Sequence, residues 1–440
     1  MKRLLRILAL LLLAIPATAA TFPNGGPSTT NNDDTCDLST LPAATLLLPH
    51  FEVDTSSPGG RTTLFTITNV TNVDQIARVT LWTDYGFPVI TFNVFLTGYD
   101  VQAINLYDII ERGIIAPDAG TGTEVHDRGD FSDPNNSADL TMCDRLPGQL
   151  DHAYIRRMQA AFLEGVVPAL GTLPGCNDVG GEHEFATGYA TIDVVGNCGF
   201  SQPNEQPYFR TDIRYDNVLT GDYQQVDSQQ NYAQANPLVH IRAMPEGGIP
   251  GRTGNDNRVN FERTFYSRYA PSTHNDARQP LPSTFGARWI QGGPLQFETF
   301  YKVWREVRTD RTAVCADYQH NDNMPVREVV VFDEAENYVT LADNETLGLR
   351  GTALLSVGDD VMPQMTNGAV SGWTYFNLDR EGDDEEATQN WVIVSMRSQG
   401  RYSVDFDATA LGNGCTPERG VSAANQEGGV TIGPAPNENP

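Results

Sequence analysis

The sequence predicts a mainly β protein with two immunoglobulin-like or other β-sandwich modules, long loops and one inserted amphipathic helix. Three observations support this fold class. Short segments that alternate apolar and polar residues recur along the chain, clusters of Gly, Pro, Asn and Asp separate them, and only one stretch has a convincing helical period. A period of two in β-branched and aromatic residues is typical of half-buried strands. Several such strands at short spacing favour a sandwich.

The first twenty residues have the pattern of a cleavable secretory signal. Lys2, Arg3 and Arg6 supply positive charge, residues 4–15 are otherwise apolar, and small residues follow at 17–19. The apolar stretch is shorter than the roughly 20 residues that a membrane-spanning helix needs. We therefore predict a signal peptide at 1–20 and export to the periplasm or the exterior, and we expect no transmembrane helix in the mature chain.

An N-terminal β-sandwich module is predicted at 45–112, after a flexible polar linker at 21–44. Three segments in it alternate apolar and polar side chains: Thr63–Thr68, Ala77–Thr83 and Ile90–Leu96. Residues 92–106 then indicate a strand, a tight turn and a second strand, similar to a hairpin of immunoglobulin-like envelope modules. That similarity concerns the fold and carries no activity.

Residues 113–180 are predicted to be an acidic insertion followed by a helix. The helix extends from Gln149 to about Val166, because apolar side chains recur there on one face: Tyr154, Ile155, Met158, Ala161 and Phe162. Arg156, Arg157, Ala160 and Glu164 are predicted to lie away from that face.

A larger C-terminal β module is predicted at 181–412, with a polar tail at 413–440. Strand patterns recur in it at Gly188–Val195, Pro237–Ala243, Arg288–Arg305, Arg327–Phe332, Gly372–Leu378 and Trp391–Met396. The clearest alternation is at Arg401–Ala408, where apolar side chains at 402, 404, 406 and 408 alternate with polar ones. The segment 200–236 is predicted to be a long polar loop.

The cysteines favour disulfide bonds in an oxidising compartment. All six follow the signal: Cys36, Cys143, Cys176, Cys198, Cys315 and Cys415. An even number in an exported chain indicates disulfides, and six cysteines allow 15 pairings, among which the sequence does not choose. One hypothesis pairs Cys143 with Cys176, which flank the predicted helix.

The charge of the chain is strongly negative. The net charge is −27, and without the three basic residues of the signal 26 basic residues face 56 acidic ones, a net charge of −30. A field of this sign repels nucleic acid and anionic lipid, so neither is expected as a partner. A glycan or a protein at the cell surface is the expected partner class.

Three blocks carry a resemblance to a group of proteins: LLLPHFEVD at 46–54, TLWTDYG at 80–86 and LTGYDVQAINL at 96–106. They resemble an uncharacterised group of exported bacterial proteins with immunoglobulin-like β modules. The resemblance covers mainly the first hundred residues. Since the group has no known activity, it implies no catalytic or binding residues.

Calcium is the one cofactor that the sequence suggests. The insertion contains many carboxylates close together, among them the candidate ligands Asp127, Asp130, Asp133 and Asp139. Calcium takes 6–8 oxygen ligands from loops of this composition, although the spacing of an EF-hand is not met. The alternative is a hydrated acidic loop, which applies equally to the acidic run at 383–386.

Two histidine-containing segments are candidates for metal sites. On a strand, the side chains of His50, Glu52 and Asp54 face the same way, which suits either a cation site or the solvent face of a half-buried strand. Residues 182–184 (Glu-His-Glu) lack the second histidine of a metalloprotease helix, so His183 is predicted to be a solvated loop residue.

No catalytic motif is present in the sequence. The nearest string to a serine-hydrolase elbow, at 368–372, has the wrong spacing. The leading hypothesis is therefore a non-enzymatic exported surface, matrix or binding component. The alternative is a secreted polysaccharide-active enzyme that uses two unidentified carboxylates, with Trp82, Tyr85 and Trp289 as aromatic residues that could stack on sugars.

Overall fold

A computed structural model describes most of the chain between residues 40 and 411. The described residues are 40–115, 130–131, 150–199, 201–203, 205, 208–243, 264–266, 276, 278–307, 326, 328–341, 347, 351–358, 362–365, 367–378, 388–398 and 402–411. Among these residues, no helix is long and apolar enough to cross a bilayer. The predicted signal at 1–20 and most of the predicted acidic insertion lie outside them.

Strands make up most of the regular structure, as the sequence predicts. The strands are β1 (Thr45–Val53), β2 (Arg61–Asn69), β3 (Gln75–Thr83), β4 (Pro88–Leu96), β5 (Val101–Asn105), β6 (Asp130–Phe131), β7 (Ala186–Val195), β8 (Leu219–Thr220), β9 (Asp222–Asp227), β10 (Tyr232–Pro237), β11 (Val239–Ile241), β12 (Thr284–Ile290), β13 (Phe297–Arg305), β14 (Glu328–Asp333), β15 (Tyr338–Thr340), β16 (Thr352–Ser356), β17 (Ser371–Asn377), β18 (Asn390–Ser398), β19 (Tyr402–Asp407) and β20 (Thr409–Ala410). The helices are α1 (Leu106–Ile110) and α2 (His152–Leu163), and Tyr208–Asp212 form a π-helical turn.

Four antiparallel sheets form two modules. The first module has a six-stranded sheet, in the order β11-β1-β7-β3-β4-β6, and a second sheet in the order β10-β9-β2-β5, with β8 paired to β2. The second module has a sheet in the order β15-β14-β17-β12-β20 and a four-stranded sheet in the order β16-β13-β18-β19. The predicted mainly β, sandwich-class fold is confirmed.

The predicted division between the modules at residue 181 is wrong. Strand β7 lies between β1 and β3 in the six-stranded sheet, and β8 to β11 complete both sheets of the first module. The segment 200–236, predicted to be a loop, contributes β9 and β10. Local pattern does not reveal which distant strands pair, so the strands after the insertion were assigned to the wrong module.

Alternation predicted the buried face correctly where one face is open to solvent. In β2, Phe65 and Ile67 are buried while Thr66 and Thr68 are half-buried. In β1, by contrast, all nine residues are buried. Its two faces are covered because the second sheet packs on one side and strands of the second module approach the other.

Helix α2 begins and ends inside the predicted range. The Asp151 side chain caps its N-terminus by accepting hydrogen bonds from the N–H groups of Ala153 and Tyr154. Its apolar face joins the core, where Phe162 contacts Phe51 edge-on. The face also includes Ala160, which the sequence analysis placed on the solvent side. Helix α1 was not predicted, because its five residues directly follow a strand.

A buried arginine ties the segment before β12 to the first module. The Arg278 side chain is fully buried, and its guanidinium lies 3.8 Å from Asp193 and 3.4 Å from Asp276. It also donates to the Thr45 hydroxyl and to the Arg214 carbonyl oxygen. The nearby carboxylates raise the pKa of Arg278 although burial alone would lower it, so the guanidinium stays charged.

The two modules share one hydrophobic core and a buried polar seam. In the second module, Lys302 Nζ lies 2.8 Å from Asp405 Oδ2. Two side chains of the first module complete this pair: Gln234 Oε1 accepts from Lys302 at 3.1 Å, and the Tyr223 hydroxyl donates to Asp405 at 3.0 Å. The strand at Arg401–Ala408 was predicted correctly, and Phe406 and Ala408 pack against the core as its alternation implies. At its centre the order is reversed, because Asp405 is buried while Val404 is half exposed.

Replacing Arg278 by methionine should strongly destabilise the fold. Arg278→Met keeps much of the side-chain volume but leaves the buried Asp193 and Asp276 without their cation, which costs about 3–5 kcal/mol in the free energy of unfolding. Urea denaturation of the purified mature chain measures this loss.

The matched control is Arg288→Met. Arg288 is 66% exposed and pairs with an equally exposed Glu334, so we expect a change below about 0.5 kcal/mol. Equal stability of the two variants would contradict a central role for Arg278.

Candidate functional site

A cavity of about 900 Å³ lies where the two modules meet. We call it the inter-module cleft, and its size lies within the range of small-molecule sites. The first module supplies most of its walls, and β16 and Arg397 of the second module close it. The residues that line it are His50, Glu52, Arg61, Asp84, Tyr85, Gly181, Glu182, His183, Glu184, Phe185, Thr187, Gln230, Thr352, Ala353, Leu354 and Arg397.

An irregularity in β1 aims His50 into the cleft. The register of β1 against β7 shifts between Leu48 and Phe51, and Pro49 lies within this shift. Proline has no N–H to donate, so within strands it occurs at edges and bulges, and bulges re-aim the neighbouring side chains. The Pro49 carbonyl oxygen, outside the regular ladder, accepts a hydrogen bond from the Thr352 hydroxyl at 2.8 Å.

His50 and Glu52 form the buried centre of the site. The His50 side chain is 1% exposed, and its Nδ1 lies 3.0 Å from the Thr352 hydroxyl. Its other ring nitrogen, Nε2, is buried and has no hydrogen-bond partner among the residues that the structure describes. The nearest charged atom is Glu52 Oε1, 3.7 Å away, which is too far for a normal hydrogen bond. These side chains do not form the solvent face of β1, which was the more ordinary of the two predictions.

Glu52 is held as a carboxylate. Its Oε2 accepts from Arg61 Nη1 at 2.7 Å and from Gln225 Nε2 at 3.0 Å. Burial alone would raise the pKa of Glu52, but the nearby side chains of His50 and then of Arg61 hold this pKa well below its usual range.

Several contacts hold the Arg61 side chain in place. Its guanidinium lies over the Phe185 and Tyr232 rings, 4.7 and 5.5 Å from their centroids, and its Nε is 3.7 Å from Asp227. This arginine therefore acts as a built-in counterion for the Glu52 carboxylate.

A second histidine–carboxylate pair lines the same cleft. Asp84 follows β3, is 5% exposed, and accepts hydrogen bonds from the Gly181 N–H at 3.0 and 3.2 Å. His183 Nε2 lies 3.0 Å from Asp84 Oδ2, so His183 is not the solvated loop residue that the sequence suggested.

The second module reaches the first at Gly351 and Thr352. The Thr352 N–H donates to the Asp84 carbonyl oxygen at 3.0 Å. A Cβ on Gly351 would lie 2.7 Å from that same oxygen, so only glycine allows this approach.

In space, a hydroxyl, an imidazole and a carboxylate follow one another: those of Thr352, His50 and Glu52. This order resembles a nucleophile with its general base and orienting acid. The Thr352 hydroxyl, however, donates its proton to the Pro49 carbonyl, and the residue is 3% exposed. An activated nucleophile needs its proton directed at the base, so this geometry favours binding over nucleophilic catalysis.

Most of the predicted calcium ligands lie outside the described residues. This applies to Asp127, Asp133 and Asp139, whereas Asp130 belongs to β6, of which only the backbone is described. The calcium site thus remains a prediction. Within the described ranges, no group of three or more His, Cys, Asp or Glu side chains is arranged to hold a metal ion.

The cysteines and aromatic residues can be placed in part. Cys176 and Cys198 are the cysteines that the structure describes; both are buried and neither is a free thiol. The pairing of the six cysteines stays a prediction, since Cys36, Cys143, Cys315 and Cys415 lie outside the described residues.

Of the three aromatic residues considered for sugars, only Tyr85 lines the cleft. Trp82 and Trp289 are 0% and 2% exposed, so they belong to the core and cannot stack on an external ligand. The Trp82 ring instead stacks on Tyr189, and its indole N–H donates to Thr191.

Comparisons with known proteins give no relative: no protein-family model, no curated protein and no solved structure matches the chain.

Glu52→Gln should lower stability at neutral pH and much less at acid pH. The pKa of Glu52 is depressed in the folded state, so its contribution is fully present above the ordinary pKa of 4.5 and is lost as the pH falls below it. At pH 7 we expect a loss of about 3–5 kcal/mol, because the Arg61 charge loses the carboxylate at 2.7 Å and keeps only the more distant Asp227, at 3.7 Å. Urea denaturation between pH 3 and pH 7 measures the difference.

Glu334→Gln is the matched control, because Glu334 is 63% exposed. It should stay within about 0.5 kcal/mol of wild type at each pH. A Glu52→Gln deficit that does not shrink below pH 4.5 would show that the pKa of Glu52 is not depressed.

Proposed function

We propose that this protein is an exported binding protein that holds a small polar ligand in the inter-module cleft. The observation that carries the proposal is the buried Nε2 of His50, which faces the Glu52 carboxylate and has no hydrogen-bond partner in the described part of the chain. Buried polar groups are nearly always hydrogen-bonded, so an unpaired one in a cleft wall indicates that something else binds there.

The construction of the site supports binding. Arg61, Gln225 and Thr352 each hold one of the two central side chains in place. A binding group that is already oriented loses less conformational entropy when the ligand arrives. The position between two modules is also common for ligand sites.

Glycoside hydrolysis is the second candidate, because several carboxylates line the same cleft. Glu52 and Asp84 are buried there, and Glu182 and Glu184 are exposed at its edge. Hydrolysis needs one carboxyl group that is protonated and free to donate to the leaving oxygen. Both buried carboxylates instead accept hydrogen bonds, Glu52 from Arg61 and Asp84 from the Gly181 N–H. This favours binding over hydrolysis.

Export to the periplasm or exterior is part of the proposal. It rests on the charged, apolar and small-residue segments at 1–20 and on the even number of cysteines after them. The group that the N-terminal blocks resemble is also exported. In an oxidising compartment the cysteines would form disulfides, which agrees with the finding that neither Cys176 nor Cys198 is a free thiol.

Expression of the full chain in a bacterium should yield a processed protein outside the cytoplasm. We expect the mature chain to begin at Ala20 or Thr21, because the small residues at 17–19 form the cleavage site. Cell fractionation and N-terminal sequencing measure this. Replacing residues 7–14 by a polar segment should leave the full-length protein in the cytoplasm, and export of that variant would contradict the assignment.

Binding can be tested by thermal unfolding of the mature protein against a panel of sugars, amines, amino acids and carboxylic acids. A ligand of the cleft raises the melting temperature because it binds only the folded state. The same panel of glycans, assayed for release of reducing sugar, tests the hydrolase alternative. Hydrolysis that Glu52→Gln or Asp84→Asn abolishes would replace the binding proposal, and no shift with any compound would refute it.

A further inference from the structure

We infer that the group recognised in the inter-module cleft is a cation that donates N–H hydrogen bonds, such as an ammonium or guanidinium group. The inference rests on the proposed binding function and names the ligand class of the same site.

The first step is the protonation of His50. The Thr352 hydroxyl has one proton, which it donates to the Pro49 carbonyl at 2.8 Å. The contact between that hydroxyl and His50 Nδ1, at 3.0 Å, must then carry a proton from the ring. In the neutral imidazole this leaves Nε2 as an acceptor.

A carboxylate oxygen is the neighbour of that acceptor. Glu52 Oε1 is 3.7 Å from His50 Nε2, so two acceptors face each other, and no donor of the described residues binds Nε2. The arrangement is unfavourable in a buried site, where unpaired lone pairs interact in a low dielectric. A group that donates two hydrogen bonds would satisfy both atoms, and a cation would form the stronger, charge-assisted bonds.

The two arginines in the walls of the cleft already form other contacts. Arg61 is paired with Glu52 and lies over Phe185 and Tyr232. Arg397 Nε is 2.7 Å from Glu298, and its guanidinium lies 4.3 Å from the centroid of the Phe300 ring. Arg61 therefore already occupies Oε2 of Glu52, and none of these contacts directs the Arg397 guanidinium at the His50–Glu52 pair.

The remaining charge of the cleft is negative. Asp84, Glu182 and Glu184 add three carboxylates to that of Glu52, and His183 is the one further basic side chain among the lining residues. This field attracts a cation and repels an anion, in keeping with the net charge of −27 on the whole chain. A carboxylate or phosphate ligand is therefore the wrong class for this site.

A cationic N–H donor could come from a free polyamine or from an amino sugar. Calorimetric titrations of the mature protein at neutral pH with agmatine, glucosamine and maltose separate these sources from a neutral sugar. We expect agmatine or glucosamine to bind and maltose not to bind. Glu52→Gln should weaken the amine about tenfold to a hundredfold, because one hydrogen bond to a charged group is lost. Glu334→Gln, on the exposed surface, should bind like wild type.

The outcomes distinguish the two proposals. Binding of maltose but of neither amine would overturn the inference and leave the binding function intact. Binding of none of the three, together with no response to the wider panel, would overturn both. Equal affinity of wild type and Glu52→Gln for the amine would place the ligand elsewhere and overturn the inference.

Nitrogen-15 NMR of the histidine rings supplies a test that needs no variant. At neutral pH and without ligand, Nε2 of His50 should be unprotonated and Nδ1 protonated, and the amine should shift the Nε2 resonance. A proton on Nε2 in the free protein would mean that His50 already donates toward Glu52. The acceptor pair would then not exist, and the inference would be wrong.

Discussion

The Lys302–Asp405 ion pair is the interaction on which the relation between the two modules depends. Both charges are removed from water, and Gln234 and Tyr223 of the other module each form one hydrogen bond with the pair. A buried ion pair is weak evidence for overall stability, because desolvation offsets much of the attraction. It does discriminate between arrangements, since any other docking of the modules would leave these groups buried without partners. The burial of Tyr223, followed by the charge of Asp405, raises the pKa of that tyrosine and keeps its hydroxyl protonated as the donor.

The inter-module cleft follows from that docking. Because β16 lies against the first module, Thr352 can reach both the Pro49 carbonyl and His50. One proline in β1 and one glycine before β16 therefore set the geometry of the site, the first by interrupting a strand and the second by permitting close approach. Neither residue carries any chemistry of its own. The chemistry is that of the side chains which they place opposite one another.

The sequence predicted the strands much better than their partners or their faces. Alternation located β2 and β19. In β19, however, Asp405 is buried because it forms an ion pair with Lys302, two strands away in the same sheet. Strand β1 was interpreted as half-exposed, since nothing local shows that a second module covers its other side. For the same reason His50 and Glu52 were noticed but expected to face solvent. No sequence pattern indicated a role for Arg61 or Asp84, because only the fold brings them to the cleft.

The scarcity of lysine has a practical consequence for chemical labelling. The chain contains only Lys2 and Lys302, and the Lys302 side chain is 2% exposed. In the mature chain that we propose, amine-reactive dyes, biotin esters and resins would find one accessible primary amine, the α-amino group of the new N-terminus. The protein would thus be attached to a surface at a single point, ahead of both modules and without engineering a handle.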